Sequence, residues 1–176
     1  LSFAEFYPVS GQDKYDAWNE YLTYGGMPLI VSKRSDAEKS SYLKNLFEQT
    51  YISDIVERNS IKRLDIMDAI VNILASSVGS LTNPQKIANT FKSGENSTIQ
   101  VSTVQRYLGY LEDAFIVNTA KRYNIKGRKY IGAPCKYYFS DLGVRNAVIG
   151  FRQFEKTHLM ENLLYNELLN RGYNVD

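Results

Sequence analysis

Seven cationic side chains between Ser102 and Tyr138 are the residues best placed to do chemistry, and that chemistry is phosphate neutralisation. Arg106, Lys121, Arg122, Lys126, Arg128, Lys129 and Lys136 stand there against only Glu112 and Asp113, a local balance of +5. The 176-residue chain carries +2 in all, so the rest of it sums to −3. A patch of this kind binds polyanions with a salt-dependent affinity that is mostly indifferent to sequence. The same cations on a surface hairpin also serve as a charged edge that discourages strand-to-strand aggregation.

Other reactive side chains are too isolated to form a site. Glu161 and Glu167 lie six apart on one predicted helix, do not share a face and read as solvated charge. His158, beside Leu159, reads as packed, and Cys135 in a strand-like run as a small hydrophobe. One cysteine and one histidine exclude an internal disulfide framework and argue against zinc. GxxxxGK[ST], GxSxG and HExxH are all absent. Gly25-Gly26-Met27-Pro28 lacks the lysine and the preceding strand of a phosphate loop and reads as a helix stop. The chain carries no complete active site, no catalytic residue and no metal site of its own.

Most of the elements that hold these residues read as helix. Ser2 to Tyr7 predicts a short helix stopping at Pro8, and Asp13 to Tyr24 a second, with Tyr15, Trp18 and Leu22 at helical spacing. Ser35 to Glu38 is a capping box opening a long helix to about Arg58. Arg63 to Val78, apolar nearly all round, predicts the buried centre of the helical part. Asn83-Pro84 opens a helix over 85–91, and 93–100 reads as a loop. Ser102 to Gln105 reads as a second capping box, for a helix to about Asp113. The inner face of that helix is Val104, Tyr107, Leu108 and Leu111; Thr103, Arg106, Tyr110 and Asp113 lie opposite. Phe115–Arg122 and Cys135–Phe139 are strand-like, joined by a Gly- and Lys-rich loop. Helices over about 141–149 and 157–170 follow, the second ended by Gly172, and Tyr173-Asn174-Val175 opens a further strand.

Helix, helix, loop, helix, strand, basic loop, strand is the order of a winged helix, in which one helix enters the major groove and the wing touches backbone beside it. Thr82 through Phe139 is expected to form a compact three-helix unit closed by a β-ribbon. The candidate nucleic-acid contacts are Thr103, Gln105 and Arg106 on the helix and Lys126, Arg128 and Lys129 on the wing, Asn124–Lys136. A single arginine with Gln105 and Thr103 is thin for sequence-specific readout. Apolar residues at 44% and charged residues at 23% are ordinary globular composition, and no apolar run approaches a membrane span. The 14 tyrosines suit half-buried helix surfaces or an interface.

The motif order resembles the region after the ATPase core in a large family of bacterial and archaeal AAA+ P-loop ATPases. Leu1-Ser2-Phe3-Ala4-Glu5-Phe6 is similar to its "LSFxEF", and Tyr24-Gly25-Gly26-Met27-Pro28 to its "GG(M/F)P". Tyr42-Leu43, Tyr51-Ile52, Asp54-Ile55 and Arg58 are similar to its "YL…yi.DI..R". The winged-helix series appears as Ser102-Thr103-Val104, Tyr107-Leu108, Leu111-Glu112 and Phe115-Ile116-Val117. Tyr137 to Gly143 and Glu161 to Leu168 are similar to "kyyf.D.Gl" and "EN.vy.EL". The resemblance spans essentially the whole chain in order.

It implies a piece of a longer protein. An ATPase core binding ATP and magnesium would precede Leu1, and a restriction-endonuclease-like domain would be completed beyond Asp176. No cofactor belongs to this piece, which is expected to hydrolyse no ATP. Glu161 matches an acidic position of the nuclease-like domain, and Arg58 a recurrent arginine that could reach a neighbour's γ-phosphate or form a structural ion pair. The expected architecture is mainly α: a helical lid-like bundle (1–80), a winged helix with a small β-hairpin wing (81–140) and the helical start of a truncated domain (141–176). The expected role is a non-catalytic, cytoplasmic fragment whose winged helix couples ATP-driven change to double-stranded DNA, with homo-oligomerisation through the parent core and no membrane partner. The alternative is a protein-interaction or oligomerisation module with no nucleic-acid role.

Overall fold

The computed structural model describes residues 1–94, 98–121, 133–152 and 155–175. The chain is mainly helical, with one small two-stranded antiparallel sheet. Helix α1 (Phe3–Ser10) opens on a capping box between Ser2 and Glu5 and runs through Pro8 to Gly11 rather than stopping at the proline. Proline forfeits its own N–H bond and crowds the carbonyl of Ala4, a cost that α1 bears in its last turn with Phe6 buried against the core. Asp13 caps α2 (Lys14–Tyr24) by accepting from Tyr15 and Asp16 N–H, and a 3₁₀ turn follows at Pro28–Ser32.

The predicted capping box at Ser35 forms and opens α3 (Asp36–Asn45). The expected single helix to Arg58 is instead broken by a π-helical stretch, Leu46–Ile52, before α4 (Ser53–Asn59). The buried positions give the reason: Leu43, Phe47, Ile52 and Ile55 face the core, and the step of five from Phe47 to Ile52 needs a wider turn to stay on that side. Helix α5 (Leu64–Ser76) buries Met67, Ile70, Val71, Leu74 and Ala75. It is more one-sided than expected, because Leu64 is 43% exposed.

Helices α6 (Pro84–Gly94) and α7 (Val101–Asp113) follow, then β1 (Val117–Lys121) and β2 (Cys135–Phe139). The strands pair antiparallel from Val117 opposite Phe139 to Lys121 opposite Cys135. Thr82 bridges the other edge of β2, exchanging 2.9 and 2.8 Å bonds with Cys135. The three-helix unit expected between Thr82 and Phe139 is not formed by that stretch alone: its described residues form two helices, α6 and α7, and α7 also packs against α5.

Helix α8 (Leu142–Val148) sits at the centre and is buried from Leu142 to Ala147. Asn146 Nδ2 donates to the Leu22 and Thr23 carbonyls at the end of α2 (3.0 and 2.8 Å), and Arg145 Nε to Ala75 O at the end of α5 (2.7 Å). Asp141 caps α8 through Val144 N–H and also accepts from Gly26 N–H at 2.8 Å. A Cβ on Gly25 would overlap the Asp141 carboxylate, and one on Gly143 the Tyr24 carbonyl. The Gly-Gly turn is thus more than a helix stop: it makes room for a carboxylate 115 residues away. Burial pushes the Asp141 carboxyl up, against the opposing pull of those two N–H donors.

Helix α9 (Lys156–Asn170) closes the edge of β2. Fully buried Asn162 accepts from Phe139 N–H (2.8 Å) and donates to Phe139 O (2.7 Å), so its amide pairs with the strand as another strand would. No strand forms at 173–175. The main core runs from Phe6 to Tyr165, and Leu22, Leu142 and Leu159 form a smaller second cluster with Trp18 and Leu163. Among the described residues no helix is long and apolar enough to cross a membrane.

Candidate nucleic-acid interface

Helix α7 is held by Val104, Tyr107, Leu108 and Leu111, all buried as the spacing predicts. Its start differs from the expected capping box: Ser102 lies inside the helix, Gln100 is the N-cap, and no side chain caps it. The chain enters helical geometry two residues early, and Val101 in the first turn packs against the core. Glu112 accepts a hydrogen bond from Thr119 Oγ1 and ties the end of α7 to β1.

The opposite face is open. Gln105 and Arg106 are exposed and Thr103 half-buried; Thr103 and Arg106, one turn apart, line one groove, whereas Gln105 does not line it. Gly109 lies on the same helix, and a Cβ there would meet nothing within 4 Å. Arg106 lies over the Tyr107 ring at 5.9 Å, and Tyr107 stacks on Tyr110 with centroids 6.1 Å apart. Lys126, Arg128 and Lys129 lie outside the described residues, as does Arg122. Lys121 is exposed at the end of β1. Lys136 does not join the phosphate face: it pairs with Glu161 on α9. Arg58 is exposed and pairs with Asp54 one turn back on its own helix.

Cys135 is buried, donates to Thr82 O at 3.6 Å, and has its thiol pushed up by burial. It is a neutral hydrophobe there. His158 is half-exposed, with Nε2 3.4 Å from a Glu155 oxygen and Nδ1 facing Gly79. Glu161 and Glu167 have different partners: Glu167 pairs with Arg171, and Glu161, expected as solvated charge, pairs with Lys136. Among the described residues, no group of three or more His, Cys, Asp and Glu could hold a metal ion.

The family model described as "Domain of unknown function (DUF8612)" matches residues 15–155. The chain belongs to this family. An "Uncharacterized protein" of Haemophilus influenzae is 35% identical over 181 residues, covering 100% of this chain and 45% of that protein. "Uncharacterized protein MJ1544" of Methanocaldococcus jannaschii is 29% identical over 155 residues, 88% of this chain and 34% of that protein. The chain spans less than half the length of these curated relatives. No solved structure matches it.

The DUF8612 match includes α7, both strands and the α8 hub, and it stops just before α9. Helix α9 brings the polar cluster that sequence reasoning missed. Glu161 Oε1 accepts from Lys136 Nζ and from Tyr138 OH, the latter at 2.6 Å. The signal was legible only in part: Lys136 and Tyr138 alternate on one face of β2, but nothing local says that α9 covers that face. Burial raises the Glu161 pKa, while the Lys136 and Tyr138 bonds and the Lys136 charge pull it further the other way, so the net shift is downward.

A lowered folded-state pKa contributes stability above the ordinary glutamate value of 4.5, and that contribution is lost as pH falls through the folded value. Glu161→Gln is therefore expected to melt below wild type at pH 7, by under about 1 kcal/mol because the pair is partly exposed. The two melting curves should converge by pH 3. A gap that persists at pH 3 would rule out the charge as its source.

Proposed function

We propose that this chain is a non-catalytic part of an AAA+-type ATPase and that its α6–α7–β1–β2 unit carries ATP-driven movement to double-stranded DNA. The supporting observation is the uncovered side of α7, where Thr103 and Arg106 line one groove and Gln105 is exposed beside Arg106, on a helix packed tightly behind. One arginine on that face makes backbone neutralisation, not base readout, the main source of affinity. The ATPase assignment rests on the motif series from Leu1 to Leu168. ATP, magnesium and homo-oligomerisation belong to the parent core on this reading. Arg58 is then the arginine offered to a neighbouring γ-phosphate; its exposed pair with Asp54 is worth only about 0.3–0.5 kcal/mol and exchanges readily.

Binding of a labelled duplex of arbitrary sequence at ~50 mM salt tests the proposal. Charge reversal at Lys126, Arg128 and Lys129 is expected to weaken binding at least 100-fold or so and to flatten the salt dependence by about three ions' worth. Wild type that fails to bind duplex at that salt would overturn the DNA reading.

One observation favours the interaction-module alternative. An apolar groove of about 320 Å³ between β2 and α9 is rimmed by Leu81 and Leu164, 53% and 58% exposed. The tyrosines themselves do not supply such a patch: among the described ones only Tyr7, Tyr15 and Tyr173 are exposed. Concentration-dependent dimerisation in sedimentation, with no duplex binding, is the outcome that selects this alternative.

A further inference from the structure

A groove of about 450 Å³ separates α7 from the corner that joins α4 to α5. One wall carries Thr103 and Arg106 of α7; the other carries Ser60, Lys62 and Arg63 of the corner. Its lining holds three cations and no aspartate or glutamate. The carboxylate bonded to this lining is Asp65, on Arg63, so cations outnumber acids at this concave surface, and such a surface concentrates anions.

The corner is built to keep its shape. Ser60 adopts the left-handed conformation (φ 49°, ψ 46°) that ends α4. Ser60 N–H returns to Glu57 O and Ile61 N–H to Val56 O, at 3.3 and 3.0 Å, while Ile61 packs against the core. Lys62 and Arg63 are therefore exposed side chains on a fixed backbone. Arg63 pairs with Asp65 through a fork, Nε at 2.9 Å from Oδ1 and Nη2 at 2.6 Å from Oδ2, with both partners more than half exposed. In water an exposed pair contributes little, and the guanidinium keeps a further N–H edge for a phosphate. Among the described residues Lys62 and Arg106 are thus the groove cations not paired with a carboxylate, and Arg63 adds to them when the fork opens.

We propose that the α4–α5 corner is a second phosphate-contacting element, so that Lys62 and Arg63 with Arg106 hold the sugar-phosphate backbone of the duplex that α7 faces. This rests on the DNA reading above and deepens it, since it extends the contact surface from the winged-helix unit onto the neighbouring helical half. The occupant is a phosphodiester backbone because a helix lying in the major groove has a backbone strand along its flank, and the groove lies along the flank of α7.

The test is duplex binding followed by fluorescence anisotropy between ~50 and ~300 mM salt, with the full 176-residue chain. The double variant Lys62→Ala/Arg63→Ala is expected to lose about ten-fold in affinity and to lower the salt slope by about two, independent of duplex sequence. The charge-preserving Lys62→Arg/Arg63→Lys is expected to retain both. Lys14→Ala on α2, outside the groove, serves as the control and should match wild type. Since Lys62 and Arg63 are exposed, the alanine variant should melt close to wild type, and that melt is measured alongside. If wild type binds and the wing variant weakens, but the corner variant keeps wild-type affinity and slope, this inference fails while the DNA reading stands. If wild type binds no duplex, the functional reading itself fails.

Discussion

Gly143→Ala is expected to lower the melting temperature by roughly 6–12 °C, the equivalent of about 3 kcal/mol at about 2–4 °C per kcal/mol for a chain of this length. A Cβ at 143 would overlap the carbonyl oxygen and carbon of Tyr24 and lie 3.0 Å from Asp141 Oδ1. Those obstacles are backbone and a capping carboxylate, so none can swing aside as the tip of a flexible side chain would. Nor can α2 retreat as a body: Asn146 holds the Leu22 and Thr23 carbonyls, and Asp141 holds Gly26 N–H. Two other glycines calibrate the effect. Gly11→Ala meets no neighbour but must keep φ near +67°, costing about 1 kcal/mol. Gly109→Ala, mid-helix and facing open space, should gain about 0.5–1 kcal/mol. Calorimetry of the three variants should therefore rank 109 above wild type, 11 below it and 143 lowest. A Gly143→Ala protein within about 1 kcal/mol of wild type would mean that α2 and α8 are not in the contact described.

The residues that made α7 and β2 legible in the sequence did so by local periodicity. Val104, Tyr107, Leu108 and Leu111 are buried at helical spacing, and β2 spans the expected Cys135–Phe139. The long-range partners left no local trace. Asp141 read as a helix start, which it is, but its second bond to Gly26 is set by how α2 and α8 cross. Lys136 read as one of seven cations on a phosphate face; β-strand alternation and the cover of α9 turn it to Glu161 instead. Likewise, the pattern of α5, apolar on most sides, says that the helix is buried but not against what; the fold packs it on both α7 and α8. The corner cations Lys62 and Arg63 are unremarkable in the sequence for the same reason: they lie 44 and 43 positions before Arg106 along the chain, and only the fold sets them across one groove.

Arg145→Ala is the second substitution with a large expected cost, about 3–5 kcal/mol, made of a cavity and of polar groups left without a donor. The side chain is 2% exposed; Nε donates to Ala75 O at 2.7 Å and Nη1 to Asn146 Oδ1 at 3.0 Å. Burial pulls its pKa down to about 10, with the Glu155 charge opposing, so at neutral pH the guanidinium stays charged. A cation at Ala75 sits at the C-terminal end of α5, where the helix dipole favours it. It also orients the Asn146 amide that caps α2, so one side chain terminates one helix and steadies the group that terminates another. Three variants separate these contributions in chemical denaturation. Arg145→Met keeps most of the volume and should cost about 1–3 kcal/mol, the share of the unpaired carbonyl and amide. Arg145→Lys keeps the charge but cannot span both acceptors with a planar fork, so it should fall near Met rather than near wild type. A lysine variant as stable as wild type would show that charge at the end of α5, not the two-point bridge between helices, is what the centre of this fold requires.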